Sequence, residues 1–434
     1  MEDTMHTATK KSRWSWYSYD FGNSAYAAVI LLAVYSAYFK NVVVGGAEGT
    51  RLWGLSVGIA AIIVALVSPI LGTIADFTRS KKRFLLGFTV VSVVFTGLLF
   101  FVGTGDVFTG MLFFIIAEIG YRGAQVFYDA LLTDVATPDT VGSVSGKGWA
   151  VGMIGGVVTL LIVLVPIQLM GNRVIPFSFL VTAILFALFS VPTFLWVVER
   201  REAEQIAPGK SVINVAFTKL ADTFRSIRDY REFIKYMVAF LIYNDGIMML
   251  LDFAAIIGAT LYGMEQAQLI VFVILIHITG ALGSLYFGRV SDRRSSKDAV
   301  IISILILIAS VAGLYVINGI AWFYVIGTLA GFSLSGAQAV SRTMVSQLAP
   351  ADKTAEFYGF LSVAGRTSTF VGPLVFGTVS YRAHNWYVNH GVNAVAAEHY
   401  GLLWAVGSII VFLTIGLLAL LFVKRVSPKH LKVS

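Results

Sequence analysis

The chain has 434 residues, of which 57% are hydrophobic and 13% charged, and its mean hydropathy is +0.81. Soluble domains carry roughly a quarter of their residues charged, so this balance excludes one and leaves an integral membrane protein. The absence of cysteine excludes disulfides and thiolate metal sites, while the net charge of +8 has to be interpreted from where the charges lie.

Apolar runs long enough to cross a hydrocarbon layer of ~30 Å as helices recur along most of the sequence. They are continuous rather than alternating, which argues against a β-barrel. The first nineteen residues are polar and basic, and no small-residue cleavage site follows the first run, so no cleaved signal peptide is expected. The predicted spans are Tyr19–Phe39, Leu52–Ala75, Phe84–Gly103, Val107–Leu131, Ser145–Met170 and Pro176–Val198, then Phe233–Leu261, Gln268–Val290, Ala299–Ile317, Ile320–Gln347, Phe357–Tyr381 and Tyr400–Val423. This is an all-α membrane protein of about twelve helices. The organisation is a bundle over residues 1–198, a polar linker over 199–232 and a second bundle over 233–434.

In the linker, Ile213, Phe217, Leu220, Phe224 and Ile227 recur at spacings of three and four, with Lys219, Arg225 and Arg228 between them. That pattern fits an amphipathic helix on the membrane face, and its simplest role is to connect the two bundles. Residues 382–399 hold three of the six histidines at spacings that match no metal site, and are expected to be a solvated loop.

Lysine and arginine set the orientation. With an inward amino terminus, 24 of them fall in inward segments against four outside, namely Lys40, Arg51, Arg173 and Arg382. Both termini are therefore expected on the cytoplasmic side, in the plasma membrane. The basic excess is a topology signal, and no nucleic-acid partner is expected.

The halves repeat. Gly123, Ala124 and Gln125 answer Gly336, Ala337 and Gln338, and the run Ser143–Gly148 answers Ser362–Thr367, which lies in the stretch Gly336–Gly377. Tyr19-Asp20 with Gly22-Asn23 answers Tyr243-Asn244-Asp245-Gly246, and Gly72 with Asp76 before one basic loop answers Gly288 with Asp292 before another. Four matches in the same order indicate duplication. Six helices per half return the chain to the same side, so the repeats are parallel, as in the major facilitator fold, where substrate sites lie near mid-membrane and transport is by alternating access.

The strings WSWYSYDFGNSAY (Trp14–Tyr26), QVFYDALLTDVA (Gln125–Ala136), VSGKGWAVGMIGG (Val144–Gly156) and LIYNDG (Leu241–Gly246) together resemble the major facilitator family related to fungal autophagy-associated vacuolar amino-acid effluxers. Asp129 and Thr133 stand where that family more often has Asn and Pro. The resemblance implies two pseudo-symmetric six-helix bundles, a cavity lined by spans one, four, seven and ten, and a small metabolite such as an amino acid or other zwitterion as substrate. For Asp76 and Asp292, each beside a basic cluster that includes Arg79 or Arg293, it implies latches broken during transport; charged loops also serve topology alone.

A charge at the bilayer centre costs at least ~2.5–3.5 kcal/mol on insertion scales, so each intramembrane ionisable group is a candidate functional residue. Here they are Asp20, Glu118, Arg122, Asp129, Lys147, Asp245, Asp252, His277, Arg342 and Arg366, with Asn23, Gln125, Asn244 and Gln338 as polar neighbours. Glu118, Arg122, Gln125 and Asp129 step by four, three and four along span four, which makes one polar stripe. Asp245, Met249 and Asp252 share a face of span seven. Asp20 with Arg122, and Asp245 with Arg342, are the expected pairs, in a structural role or a functional one. In the functional case a buried carboxylate (Glu118, Asp245 or Asp252) carries a coupling proton, or Arg122, Arg342 and Arg366 hold a substrate carboxylate. His277 is expected to be a packing histidine, although it titrates near neutrality. Gly146, Gly152, Gly155, Gly156, Gly365 and Gly372 are expected to allow close helix approach, and Pro373 to bend span eleven.

No GxxxxGK[ST] loop is present. The expectation is thus a secondary transporter, not an enzyme, working as a monomer without a cofactor other than a coupling proton. Exchange of an organic anion for a proton is an alternative, and a non-transporting receptor or scaffold on the same fold is another.

Overall fold

The computed structural model describes residues 9–78, 80–136, 141–199, 230–348 and 369–425, together with 218 and 365. Arg79, Arg366, Lys353, most of the linker and most of the Ser362–Thr367 run lie outside them. The side chains of Asp76 and Asp292 lie outside them as well. No strand occurs among the described residues.

Twelve long helices are described: α1 (Lys10–Tyr26), α2 (Gly46–Thr78), α3 (Lys81–Leu98), α4 (Val107–Ala130), α5 (Val141–Met170), α6 (Ile175–Trp196), α7 (Arg231–Tyr262), α8 (Gln266–Arg293), α9 (Ser296–Gly313), α10 (Ile320–Leu348), α11 (Val371–Asn389) and α12 (Ala394–Leu421). Eleven spans are long and apolar enough to cross a membrane, the described part of α11 falling outside that set. Large apolar side chains such as Leu66, Phe108, Leu169, Leu195, Leu282 and Leu418 are exposed, which in a lipid solvent carries no penalty and in water would.

Local chemistry sets several ends. Thr9 caps α1, its hydroxyl accepting from the Ser12 N–H. Glu265 and Gln268 form a capping box on α8. Gly263, at φ 64°, closes α7 in the left-handed conformation that glycine adopts without strain.

Two expectations need correction. The first span does not begin near Tyr19: α1 starts at Lys10 and continues through π-helical turns at Ala27–Ala33 and Phe39–Val44. Residues 382–399 are not one loop. Helix α11 runs to Asn389 and α12 starts at Ala394, where the Asn393 side chain accepts from the Ala396 N–H at 2.9 Å. The reason is aromatic packing that hydropathy cannot register. Trp386 stacks on His390 at 4.1 Å, Tyr387 lies 5.0 Å from Tyr400, and the Trp404 Nε1 donates to the Tyr387 hydroxyl at 3.3 Å.

The chain forms two compact units, Met1–Val44 with Ile62–Lys219, and Gly45–Ala61 with Leu220–Ser434. Within the first, α1 packs on α5 and α6, and α3 packs on α4 and α6. Within the second, α7 packs on α11 and α12, and α9 packs on α10 and α12. Adding six to each helix number converts one pattern into the other, so the repeat is one of packing as well as of sequence.

It extends to single atoms. The Trp16 Nε1 donates to the Tyr128 carbonyl at 3.1 Å, and the Tyr236 hydroxyl donates to the Ser341 carbonyl at 2.8 Å. Tyr128 and Ser341 each stand three residues after the matched glutamines Gln125 and Gln338. The Lys82 Nζ donates to the Val197 carbonyl at 2.7 Å, and the Lys297 Nζ to the Leu421 carbonyl at 2.8 Å. In each unit the third helix thus uses its first-turn lysine to satisfy carbonyls left over at the end of the sixth, groups that a helix cannot pair internally.

Candidate functional site

In the first unit the polar stripe of α4 grades from buried to open. Glu118 has no exposed surface, Arg122 and Gln125 are half-buried, and Asp129 is exposed. Glu118 and Arg122 pair along the helix at 2.5 Å, through Oε1 and Nε. The second oxygen of Glu118, Oε2, is buried, the Tyr26 hydroxyl of α1 is buried beside that carboxylate, and the Asn23 Oδ1 of α1 is buried with no hydrogen-bond partner. A buried polar atom left without a partner costs about 1–3 kcal/mol, and the Tyr26 hydroxyl, set beside the Glu118 carboxylate, is the group placed to donate to it.

The walls are aromatic. Tyr26 stacks on Tyr121 at 4.4 Å, Tyr128 stacks on Trp16 at 4.4 Å, and Tyr19 stacks on Tyr128 at 4.9 Å. The Tyr19 hydroxyl bonds Thr89 Oγ1 of α3 at 2.7 Å. Asp20 faces α5, where a β-carbon on Gly152 would fall 3.0 Å from the carboxylate and 2.7 Å from Ser24 Oγ. Gly152 is therefore the space into which Asp20 fits. The neighbouring Lys147 is exposed.

In the second unit, Asn244, Asp245 and Asp252 of α7 are buried, at 4%, 5% and 4% exposure. The expected pair of Asp245 with Arg342 does not form: Asp245 Oδ1 accepts a hydrogen bond from the Gly372 N–H of α11 at 3.3 Å, and Arg342 is exposed on α10. The physical reason is that Ser341, the residue before Arg342, turns inward to the Tyr243 hydroxyl at 2.6 Å, which directs the arginine to another face. Asp129 and Arg342, matched in the repeat and opposite in charge, are both exposed. Gln338, one turn before Arg342 on α10, is half-buried.

His277 donates or accepts through Nδ1 with the Val273 carbonyl one turn back, at 2.8 Å, a bond that needs no ligand. Arg293, at the end of α8, is exposed. Sequence reasoning missed three contributors: Trp53, whose Nε1 donates to the Asp252 carbonyl at 2.8 Å; Tyr26, beside Glu118; and Gly372 as a partner of Asp245 rather than a spacer. The Gly54–Gly58 pair, a GxxxG step, was the available signal for the first. Among the described residues no cluster of three or more His, Cys, Asp or Glu side chains is arranged to hold a metal.

Comparison with known proteins supplies the family. Residues 52–141 and 136–396 match the model described as vacuole effluxer Atg22 like. The chain is 29% identical over 382 residues to an uncharacterized MFS-type transporter, YxiO, of Bacillus subtilis, covering 85% of this chain and 88% of that protein. It is 24% identical to autophagy-related protein 22 of Kluyveromyces lactis, covering 77% of this chain and 74% of the other. Among solved structures, the nucleoside transporter NupG superposes with a TM-score of 0.70 at 15% identity, covering 94% and 99% of the two chains. A bacterial homolog of the human lysosomal transporter Spinster superposes at 0.66 and 13% identity, covering 96% and 98%. The chain belongs to the vacuole effluxer Atg22-like family and is a multi-pass membrane transporter of the major facilitator type, not an enzyme.

Proposed function

We propose that the protein is a secondary active transporter that moves a small zwitterion of the amino-acid class out of the cytoplasm, with a proton as the coupling ion. The observation that carries this reading is that each unit holds buried ionisable groups in membrane helices. These are the Glu118–Arg122 pair in one, and Asp245 with Asp252 in the other. Such groups are expensive in a bilayer, and a scaffold gains nothing by retaining them. Carboxylates together with an arginine suit a substrate that carries both charges, and membership of a vacuole effluxer-like family supports the outward direction. The lysine and arginine asymmetry supports cytoplasmic termini.

Thermal unfolding of the purified protein against a panel of amino acids, organic anions, nucleosides and short peptides tests the substrate class. A ligand of the folded state raises the melting temperature by mass action. The reading expects zwitterionic amino acids to shift it and their N-acetylated forms not to. A shift confined to organic anions favours anion–proton exchange instead.

A further inference from the structure

The two units differ at the helix ends that carry the lysine clasps. In the first unit the Thr193 Oγ1 of α6 donates to the Ser15 carbonyl of α1 at 2.6 Å, and the Ser18 Oγ of α1 donates to the Phe189 carbonyl at 2.7 Å. These bonds fix α1 against α6. Lys11, one turn before Ser15, stands with its Nζ 4.1 Å from the centre of the Trp196 ring, a cation over an aromatic face. From α3, the clasp lysine Lys82 reaches the next residue, Val197. The last turn of α6 therefore receives one ammonium group from α1 and another from α3. Trp14, Leu195, Trp196 and Val198 are exposed around it, so charge and open apolar surface meet as they do where hydrocarbon gives way to headgroups.

The carboxylates described nearby are already engaged. The two oxygens of Glu199 accept the Lys81 and Lys82 main-chain N–H groups at 3.2 and 2.9 Å, and Asp134 pairs with Lys81 at 3.8 Å. Lys10, Lys11 and Arg83 are exposed and form no ion pair among the described residues. Neither α1 nor α3 has an acidic residue in its first turn, where the positive end of the helix dipole disfavours cations. The second unit is arranged differently. Aligning Tyr19 with Tyr243 matches Lys11 to Lys235 and Ala8 to Glu232. Lys235 pairs with Glu232 at 2.7 Å, and the same carboxylate accepts the Lys424 N–H at 2.7 Å. With the clasp lysines Lys82 and Lys297 matched, Arg83 falls on Asp298, which pairs with Arg425 at 3.1 Å. The positions of both acids that neutralise this end of the second unit thus hold an alanine and an arginine in the first.

We propose that the end of the first unit formed by α1, α3 and α6 is a binding site for the headgroup of an anionic phospholipid. Lys11 and Arg83 are its charged determinants, and Trp14 and Trp196 supply the amphipathic rings that settle at headgroup level. A lipid is the occupant because Leu195 and Val198, in the same turn as Trp196, offer apolar surface that acyl chains cover and a soluble anion leaves bare. The site is independent of what the protein carries.

The test uses the full chain, purified in detergent and equilibrated with equal amounts of phosphatidylglycerol and phosphatidylcholine, the lipid retained per protein being measured by mass spectrometry. The parent is expected to retain phosphatidylglycerol in preference. A basic residue near an anionic surface contributes a factor of about five, so Lys11→Gln and Arg83→Gln should each lower the preference about fivefold and the two together about twenty-fivefold. Arg83→Asp, which gives the first unit the acid of the second, should lower it further than Arg83→Gln, and Lys235→Gln in the second unit should leave it unchanged. Melting temperatures in phosphatidylcholine alone, expected to be alike in all variants, separate loss of the site from loss of the fold. The parent also supplies a reading that needs no variant, because its preference should fall as salt is added. Equal retention of the two lipids by the parent overturns the proposal, as does a preference that ignores salt or survives the double change at Lys11 and Arg83. Displacement of phosphatidylglycerol by inorganic phosphate at matched concentration would assign the site to a free anion and overturn the lipid as its occupant.

Discussion

The Trp53 indole donates to the main-chain carbonyl of Asp252 at 2.8 Å, and neither residue has appreciable exposure. One hydrogen bond thus ties the first half of α2 to the helix that carries both buried aspartates. The Asp252 carbonyl lies inside α7 and keeps its intrahelical bond, so removing the indole donor loses one net hydrogen bond, about 0.5–1.5 kcal/mol. Trp53→Phe should therefore lower stability by about that amount in denaturant unfolding, and Trp53→Ala by about 3–5 kcal/mol because a cavity is added.

The Glu118–Arg122 pair is expected to behave as a unit. Arg122→Ala strands a fully buried carboxylate and should cost about 3–5 kcal/mol, whereas replacing both partners by neutral residues of similar size should cost far less than the sum of the single changes. A double-mutant cycle with Glu118→Gln and Arg122→Gln, read by unfolding in detergent, measures this. Additive effects would show that the two side chains do not depend on one another.

Glycine positions separate close helix contacts from tolerant ones. A β-carbon on Gly283 of α8 would stand 1.9 Å from the Phe332 carbonyl oxygen of α10, while one on Gly146 of α5 meets nothing within 4 Å. Gly283→Ala should destabilise by about 1–3 kcal/mol, and Gly146→Ala should stabilise by about 0.5–1 kcal/mol through helix propensity. Melting temperatures of the two variants provide the check.

The fold was largely legible in the sequence because hydropathy and charge asymmetry depend on long stretches, and errors at single residues average out. Eleven of the predicted spans fall on described helices and the described part of the other, residues 369–381, overlaps α11, while the GAQ match of Gly123–Gln125 with Gly336–Gln338 fixes a register that the Tyr128 and Ser341 hydrogen bonds repeat. Site geometry was less legible. Sequence spacing placed Glu118 one turn before Arg122, which gives the pair within one helix. The proposed Asp245–Arg342 pair required knowing which way residue 342 faces, and that is decided by Ser341 turning to Tyr243. The contact of Asp245 with Gly372 depends on the approach of two helices 127 residues apart, for which one sequence carries no local signal. The helical ends around Asn389 and Ala394 were hidden for a related reason, since aromatic packing and a single asparagine cap set them.

The lysine clasps at the helix ends should contribute equally in the two units. Lys82→Met and Lys297→Met each leave terminal carbonyls without their side-chain donor, and each should cost about 1–2 kcal/mol. Hydrogen exchange at residues 194–199 and 419–424 should rise in the respective variant, because those segments lose the contact that holds their last turns.

The central claim is that buried charge in both units serves transport, and flux in proteoliposomes tests it most directly. Amino-acid efflux should be measured with and without an imposed pH gradient, in the parent protein and in Asp245→Asn and Arg122→Ala variants confirmed to be folded. The account predicts flux that responds to the gradient, loses that response in Asp245→Asn, and falls at least about tenfold in Arg122→Ala. No flux across a broad metabolite panel, or flux that neither variant alters, would contradict it.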